Sequence, residues 1–232
     1  MQFSNIPPVV KNLLIINIIC FIPFLTIDHG NPGGPFSTMF GVYYFNSPAF
    51  RPWQLITYMF LHGSIWHILF NMFALFSFGP IVEYSLGSKR FFNFYFICGI
   101  GAVLLQMLVQ AIQVHSITGG FTISHPEIEA SYYQFGDMAQ KVYDIYHGSM
   151  VGASGAIFGL LIAFGMLFPN MELMIMFIPV PVKAKYIIPF YVLVELTLGL
   201  GQFGGDNVAH FAHLGGALIG FILIKAWNIQ RT

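Results

Sequence analysis

Long runs of apolar residues, separated by short polar segments, follow one another along almost the whole chain. A bilayer core about 30 Å thick requires roughly 20 mostly apolar residues per helix. Six runs have about this length, and they predict an all-α fold in which residues 1–232 form a single domain with six membrane-spanning helices. The predicted spans are residues 11–28, 64–84, 90–113, 150–168, 185–202 and 207–227, with a long insertion in an outer loop at 114–149.

The composition supports a membrane location. Hydrophobic residues make up 56% of the chain, and Asp, Glu, Lys and Arg together only 8%, whereas soluble domains average roughly 25% charged residues. These charges are too few to cover a globular surface, so most side chains must face lipid or each other. The chain is therefore expected to be a polytopic membrane protein embedded in the lipid bilayer. Its formal net charge of zero gives no indication of a nucleic-acid partner.

Positively charged residues orient the predicted bundle. Six spans place both termini on the same side, and Lys and Arg are favoured in cytoplasmic segments. With a cytoplasmic N-terminus, only Arg51 and Lys141 lie outside. We therefore expect a multi-pass protein of the plasma (inner) membrane with both termini in the cytoplasm. The remaining positive residues, all on the inner side, are Lys11, Lys89, Arg90, Lys183, Lys185, Lys225 and Arg231.

Several polar residues interrupt the predicted spans, where each of them is energetically costly. Taken singly, each has an ordinary explanation, because a membrane serine often hydrogen-bonds its own helix and histidine or asparagine often joins neighbouring helices. For Glu195, a hydrogen bond to a neighbouring helix or a protonated carboxyl group is the favoured interpretation. The full set is His67, Asn71, Ser154, Glu195, His210 and His213.

Three of the predicted spans carry polar residues at matching depths. The second, fourth and sixth spans run in the same direction, and a helix rises 1.5 Å per residue. By this measure Ser154 lies about 6 Å, His213 about 9 Å and His67 about 5 Å below the start of its own span. Asn71 follows His67 by one turn on the same helical face. A shared polar layer just below the outer surface is therefore expected.

Glycines beside the serine and the histidine favour close contact between the fourth and sixth helices. The pair Gly155-x-x-x-Gly159 follows Ser154, and the pair Gly216-x-x-x-Gly220 follows His213. Pairs of small residues at this spacing let membrane helices approach closely. Packing these two faces together would bring the serine hydroxyl towards the imidazole.

This polar layer is suited to acyl transfer. A serine hydroxyl becomes a nucleophile when a base removes its proton, and histidine can accept that proton near neutral pH and return it to a leaving amine. Ser154 is the expected nucleophile and His213 the expected base. The side chains of His67 and Asn71, together with the Ser154 amide, are expected to bind the oxyanion. No Asp or Glu is visibly placed to orient His213, so a dyad is expected.

The motifs that carry these residues resemble those of the rhomboid family of intramembrane serine proteases. The resemblance extends over the whole six-helix core, with the motifs in the same order. The matching stretches are His62-Gly-Ser-Ile-Trp-His67-Ile-Leu-Phe-Asn71, Phe78-Gly-Pro-Ile-Val-Glu83-Tyr-Ser-Leu-Gly-Ser88, Gly152-Ala-Ser154-Gly155 and Ala212-His213-Leu-Gly-Gly216.

The resemblance implies a serine endopeptidase that cuts single-pass transmembrane proteins near the outer membrane face. It implies the same nucleophile, base and oxyanion donors, in a water-filled cavity open to the outer side. Phe158 occupies the position where some family members carry a tyrosine that stacks on the catalytic imidazole. Gly152, Gly155 and Gly216 are expected to support the site, and no metal or cofactor is expected. The insertion at 114–149 has no counterpart that the resemblance assigns.

Two other functions are compatible with parts of the pattern. A metal site or transport path is one, because His-x-x-His on one helix can chelate zinc, although it leaves Gly-Ala-Ser-Gly unexplained. A non-catalytic rhomboid-like protein that binds membrane helices is the other, although such relatives typically lack the serine or the histidine. The connection Gln202-Phe-Gly-Gly-Asp206 suits either a mobile lid or an ordinary tight turn. The metal ligands would come from His62, His67, His210 and His213.

Overall fold

The computed structural model describes residues 6–174, 181–201 and 209–229. Within these ranges the chain is mostly helical, which confirms the predicted class. The α-helices are α1 (Pro8–Thr26), α2 (Pro35–Phe40), α3 (Gln54–Thr57), α4 (Ile65–Leu86), α5 (Ser88–Thr118), α6 (Ala139–His147), α7 (Ser154–Leu167), α8 (Ala184–Gly201) and α9 (His210–Ala226). The 3₁₀ segments are Tyr58–Phe60 and Glu129–Met138, and the strands β1 (Glu172–Met174) and β2 (Pro181–Lys183) pair antiparallel between α7 and α8.

Each predicted span coincides with a helix, but the helices differ in length. Among the described residues, α1, α4, α5 and α8 are long and apolar enough to cross a membrane. Helices α7 and α9 are apolar but have 14 and 17 residues, or roughly 21 and 26 Å at 1.5 Å per residue. The membrane character of the chain is therefore clear, while the crossing of the membrane by all six helices stays a prediction.

Helix α7 begins four residues later than the apolar run that predicted it. Met150 forms an antiparallel bridge with Val42, with N···O distances of 2.9 and 2.8 Å in the two directions. Gly152 then has a φ of +133°, outside the helical region, and its N–H donates to the carbonyl of Tyr58 at 2.9 Å. These backbone bonds hold the segment in a non-helical form, so the helix starts at Ser154.

The centre of the bundle is the contact between α7 and α9, which also pack on α5. A β-carbon added at Gly220 would lie 2.7 Å from the carbonyl oxygen of Gly159, and one added at Gly216 would overlap the carbonyl group of Gly155. The two helices therefore touch backbone to backbone, which confirms the close approach expected from the glycine spacing. Helix α5 lies equally near, since a β-carbon at Gly215 would be 2.8 Å from Leu105 Cβ.

A buried carboxylate joins the start of α1 to the end of α4. The side chain of Glu83 is 1% exposed and accepts hydrogen bonds from the backbone N–H groups of Val9 at 3.1 Å and Val10 at 2.8 Å. The Ser88 hydroxyl donates to the same carboxylate at 2.7 Å. The first N–H groups of a helix have no partner within it, so Glu83 satisfies donors that would otherwise be left unpaired.

The insertion between α5 and α7 forms a small aromatic cluster. It contains the 3₁₀ segment Glu129–Met138, followed directly by the nine-residue α6. Gly136, with a φ of +55°, interrupts the first part. Tyr132 and Tyr146 pack edge to face at 5.9 Å, and burial raises the pKa of the Tyr132 hydroxyl. The cluster is therefore held by neutral aromatic side chains.

Candidate active site

Ser154 and His213, which were predicted to lie at similar depths, are within hydrogen-bonding distance of each other. Ser154 is the first residue of α7, and His213 is in the first turns of α9. The Ser154 Oγ lies 2.8 Å from Nε2 of His213. Because α7 and α9 are in backbone contact one turn further along, the short distance follows from the helix packing.

An aromatic ring supports one face of the imidazole. Phe158, one turn after Ser154 on α7, is stacked on His213 with ring centroids 4.4 Å apart and an interplanar angle of 9°. Phenylalanine has no hydroxyl, so this contact acts on the orientation of the ring and supplies no hydrogen bond. The plane of the imidazole is therefore fixed by α7 as well as by its own helix.

His67 lies against the backbone just before the serine. Ser64 caps α4 by accepting from the His67 N–H at 3.1 Å, which sets the start of this helix. A β-carbon added at Gly152 would lie 2.7 Å from His67 Nε2 and 3.6 Å from Ser154 Oγ. The imidazole, the glycine backbone and the serine hydroxyl therefore meet at one point, and only glycine leaves room for the ring there.

Asn71 lies one turn after His67 on α4 and is 7% exposed. Its Nδ2 is buried and has no hydrogen-bond partner among the described residues. A buried amide donor left without an acceptor is costly. An oxygen bound next to His67 would accept a hydrogen bond from this donor.

His62 is close to the site and makes no polar contact with it. The ring is 1% exposed and lies edge-on to His67, with centroids 5.0 Å apart. Burial, with the charge of His67 as a second cause, lowers the pKa of His62 to about 3. His62 is therefore neutral at physiological pH, and its contact with His67 is one of ring packing.

A carboxylate from α8 completes the contacts of His213, and the expectation of an unaccompanied dyad is wrong in this respect. Glu195 Oε2 lies 2.8 Å from Nδ1 of His213 and 2.7 Å from Nδ1 of His210. The three side chains are 13%, 12% and 8% exposed, respectively. The hydrogen-bonded chain therefore runs from Ser154 through His213 to Glu195.

The sequence contained a signal for this contact. Glu195 precedes the end of the predicted fifth span, at residue 202, by seven residues, or about 10.5 Å at 1.5 Å per residue. This is close to the depth of about 9 Å assigned to His213 from its own span. The depth comparison that paired the serine with the histidine, extended to the fifth span, would have paired Glu195 with His213. The connection 202–206, considered as a lid, lies outside the described residues.

The four-histidine metal site is not assembled in this arrangement. Within residues 6–174, 181–201 and 209–229, the one group of three side chains able to share a metal ion is Glu195, His210 and His213, whose ligand atoms lie within 4.8 Å of one another. His62 and His67 are not part of it. The 2.7 and 2.8 Å contacts within this group are those of hydrogen bonds between imidazole and carboxylate.

This fold and site define a class: a helical membrane protein in which a serine and a histidine, on two closely packed helices, share a hydrogen bond. The chain belongs to the rhomboid family, since the family model described as the Rhomboid domain matches residues 49–227.

Known relatives agree with this assignment. Rhomboid protein 1, mitochondrial, of Saccharomyces cerevisiae is 27% identical over 179 residues, which cover 77% of this chain and 42% of the relative. The uncharacterized rhomboid protein P4H10.10, mitochondrial, of Schizosaccharomyces pombe is 28% identical over 211 residues, or 79% of this chain and 54% of the relative. Rhomboid protease GluP of Bacillus subtilis is 29% identical over 180 residues, or 78% of this chain and 27% of the relative. The chain thus spans about half or less of the length of these relatives.

The relatives bear on location as well. Two of them are named as mitochondrial, which conflicts with the plasma membrane expected from the charge pattern. The apolar helices make this chain a membrane protein in either case.

Proposed function

We propose that the protein is an intramembrane serine endopeptidase in which Ser154 is the nucleophile and His213 the general base. The observation that carries the proposal is the 2.8 Å separation between Ser154 Oγ and His213 Nε2, inside a bundle that belongs to the rhomboid family. A hydroxyl and an imidazole at this distance meet the geometric requirement for base-assisted nucleophilic attack.

In the first half of the reaction, His213 Nε2 takes the Ser154 proton as Oγ attacks the carbonyl carbon of the scissile peptide. The negative charge on the carbonyl oxygen needs donors. The Ser154 N–H is a candidate because it lies at the start of α7, where backbone N–H groups have no partner within the helix. The side chains of His67 and Asn71 are the other two donors in this proposal.

In the second half, the imidazolium returns the proton to the leaving amine, and the C–N bond breaks to leave an acyl group on Ser154. Water then attacks this ester, its proton passing to His213, and the proton is given back to Ser154 Oγ as the acid product leaves. No metal or cofactor enters this cycle. Each oxyanion donor is worth about 3 kcal/mol of transition-state stabilisation in such sites.

The proposed substrates are single-pass transmembrane proteins, cut near the outer membrane face. The bias of Lys and Arg towards one side supports an orientation with both termini on the inner side and the site opening to the outer side. Both the plasma (inner) membrane and a mitochondrial membrane fit this charge bias, and fractionation of cells that produce a tagged protein will separate them.

The proposal is tested by labelling the purified protein with a fluorescent serine-directed phosphonate and locating the adduct. We expect the adduct on Ser154, and its loss in both Ser154→Ala and His213→Ala. Ser85→Ala is a matched control, because the Ser85 hydroxyl donates to the carbonyl of Ile81 on its own helix α4.

Cleavage of a model single-pass substrate, followed on gels, provides the second measurement. Wild-type protein and Ser85→Ala should cut it, and Ser154→Ala should not. Cleavage that persists in Ser154→Ala would overturn the assignment of the nucleophile. A wild-type protein that binds such helices but neither reacts with the phosphonate nor cuts them would instead be a non-catalytic member of the family.

A further inference from the structure

We propose that Glu195 is a positioning residue that extends the serine–histidine pair to a triad, Ser154–His213–Glu195. This inference rests on the proposed protease function. Helix α8 carries no other residue of the site. In this proposal it supplies the group that determines which nitrogen of His213 carries the proton.

The first step concerns the atoms that meet at the carboxylate. Oε2 of Glu195 lies 2.8 Å from Nδ1 of His213 and 2.7 Å from Nδ1 of His210. An ionised carboxylate can only accept hydrogen bonds, and a neutral imidazole carries its proton on one nitrogen. With Glu195 ionised, both contacts are hydrogen bonds only when each Nδ1 carries a proton, so the carboxylate selects that tautomer in both rings.

This tautomer determines what the other nitrogen of His213, Nε2, can do. With the proton on Nδ1, the lone pair of Nε2 is free to accept, and Ser154 Oγ lies 2.8 Å from it. The serine hydroxyl must then be the donor in this contact, which is the arrangement that a general base requires. In the opposite tautomer, Nε2–H would point at Oγ and the imidazole could not take the proton.

The second step concerns how firmly the carboxylate is held. The His210 Nδ1–H binds the same oxygen that receives His213, so rotation of the Glu195 side chain would break two hydrogen bonds at once. The three side chains are at most 13% exposed, which limits competition from water. His213 is thereby fixed on three sides: by Ser154 at Nε2, by Glu195 at Nδ1 and by the Phe158 ring on its face.

The third step concerns the reaction. When His213 Nε2 takes the serine proton, the ring becomes an imidazolium, and its Nδ1–H bond to Glu195 becomes an ion pair as well as a hydrogen bond. Charge-assisted hydrogen bonds are roughly twice as strong as neutral ones. The contact is therefore stronger in the charged transition state than in the resting site, and an interaction of that kind raises kcat.

The test compares Glu195→Gln with wild type in detergent, measuring kcat, KM and the rate of Ser154 labelling by the phosphonate. The amide has the size of the carboxylate but places a donor NH₂ or a weaker neutral oxygen against two Nδ1–H groups. In serine proteases with an acid in this position, its loss or conversion to the amide lowers kcat by about 10⁴-fold. We expect a loss of at least about 10²-fold in kcat, with KM little changed and labelling slowed in parallel. Thr197→Val is the matched control on α8, because the exposed Thr197 hydroxyl donates to the carbonyl of Leu193 on its own helix.

A second measurement detects the tautomer of His213 in the wild-type protein, so it does not depend on how Glu195→Gln folds. In protein labelled with ¹⁵N-histidine, the His213 signals, identified by their absence from His213→Asn, should show the proton on Nδ1 at neutral pH. A proton on Nε2 would overturn the proposal. So would one tightly bound zinc ion per chain that is lost in Glu195→Gln, since a metal on Nδ1 excludes the proton.

The outcomes separate this inference from the proposed function. If Glu195→Gln keeps kcat within about threefold of wild type, less than 1 kcal/mol in barrier, while Ser154→Ala is inactive, the protease stands and the triad fails. If wild type is never labelled at Ser154, the protease itself fails, whatever tautomer His213 adopts.

Discussion

The contact between α7 and α9 can be tested by adding one methyl group. In Gly216→Ala, the new carbon would lie 2.6 Å from the carbonyl carbon of Gly155 and nearer still to its oxygen, whereas ordinary contact begins at 3.4 Å. The obstacle is backbone, so it cannot be relieved by a side-chain rotation. The helices must therefore separate by at least about 0.8 Å at this level, the difference between those two distances.

This displacement reaches the site directly. Ser154 immediately precedes Gly155 on α7, and His213 lies one turn before Gly216 on α9. An opening of about 0.8 Å would carry the Oγ···Nε2 distance from 2.8 Å to about 3.6 Å, which is no longer a hydrogen bond. Misplacement of reacting groups by about 1 Å can cost about 10²-fold in rate. Overpacking of this kind also destabilises a protein by about 1–3 kcal/mol.

The assay measures kcat on a model single-pass substrate, the rate of Ser154 labelling and the melting temperature in the same detergent. We expect Gly216→Ala to lose about 10²-fold in kcat and to melt at a lower temperature. Gly33→Ala is the control, because its new carbon would lie at an ordinary 3.4 Å from Asn31 Oδ1 in an exposed loop. A Gly216→Ala protein that melts lower yet keeps full kcat would refute the idea that this backbone contact sets the serine–histidine distance.

Two further predictions follow from the same geometry. Asn71→Ala should lower kcat by about 10²–10³-fold by removing an oxyanion donor, with Ser154 still the labelled residue; an unchanged kcat would exclude Asn71 from the oxyanion site. Glu83→Gln should destabilise the protein by about 1–3 kcal/mol, because the amide offers fewer acceptors to buried N–H groups such as that of Val10; thermal unfolding checks this, and the folded protein should keep its kcat.

That Ser154 and His213 lie at the same level of the helical bundle could be predicted because helix length and rise are properties of the local chain. An apolar run of a given length defines a helix, and 1.5 Å per residue converts a residue number into a depth. Ser154 and His213 were paired on that basis, with glycines as the reason for contact. The start of α7 could not be predicted in this way, because a backbone bridge from Val42 takes the groups that another helical turn would need.

What the sequence by itself determined was therefore the class of protein, the approximate helices and the depth of each polar group within them. Only the tertiary structure decided which groups face each other around the helix axes. The pairing of Glu195 with His213 joins side chains 18 residues apart on different helices. The orientation of α9 about its axis depends on packing against α5 and α7, and that of α8 on packing against α7 and α9. Hydropathy fixes how deep a residue lies, whereas backbone contacts such as that between Gly155 and Gly216 fix the direction in which its side chain points.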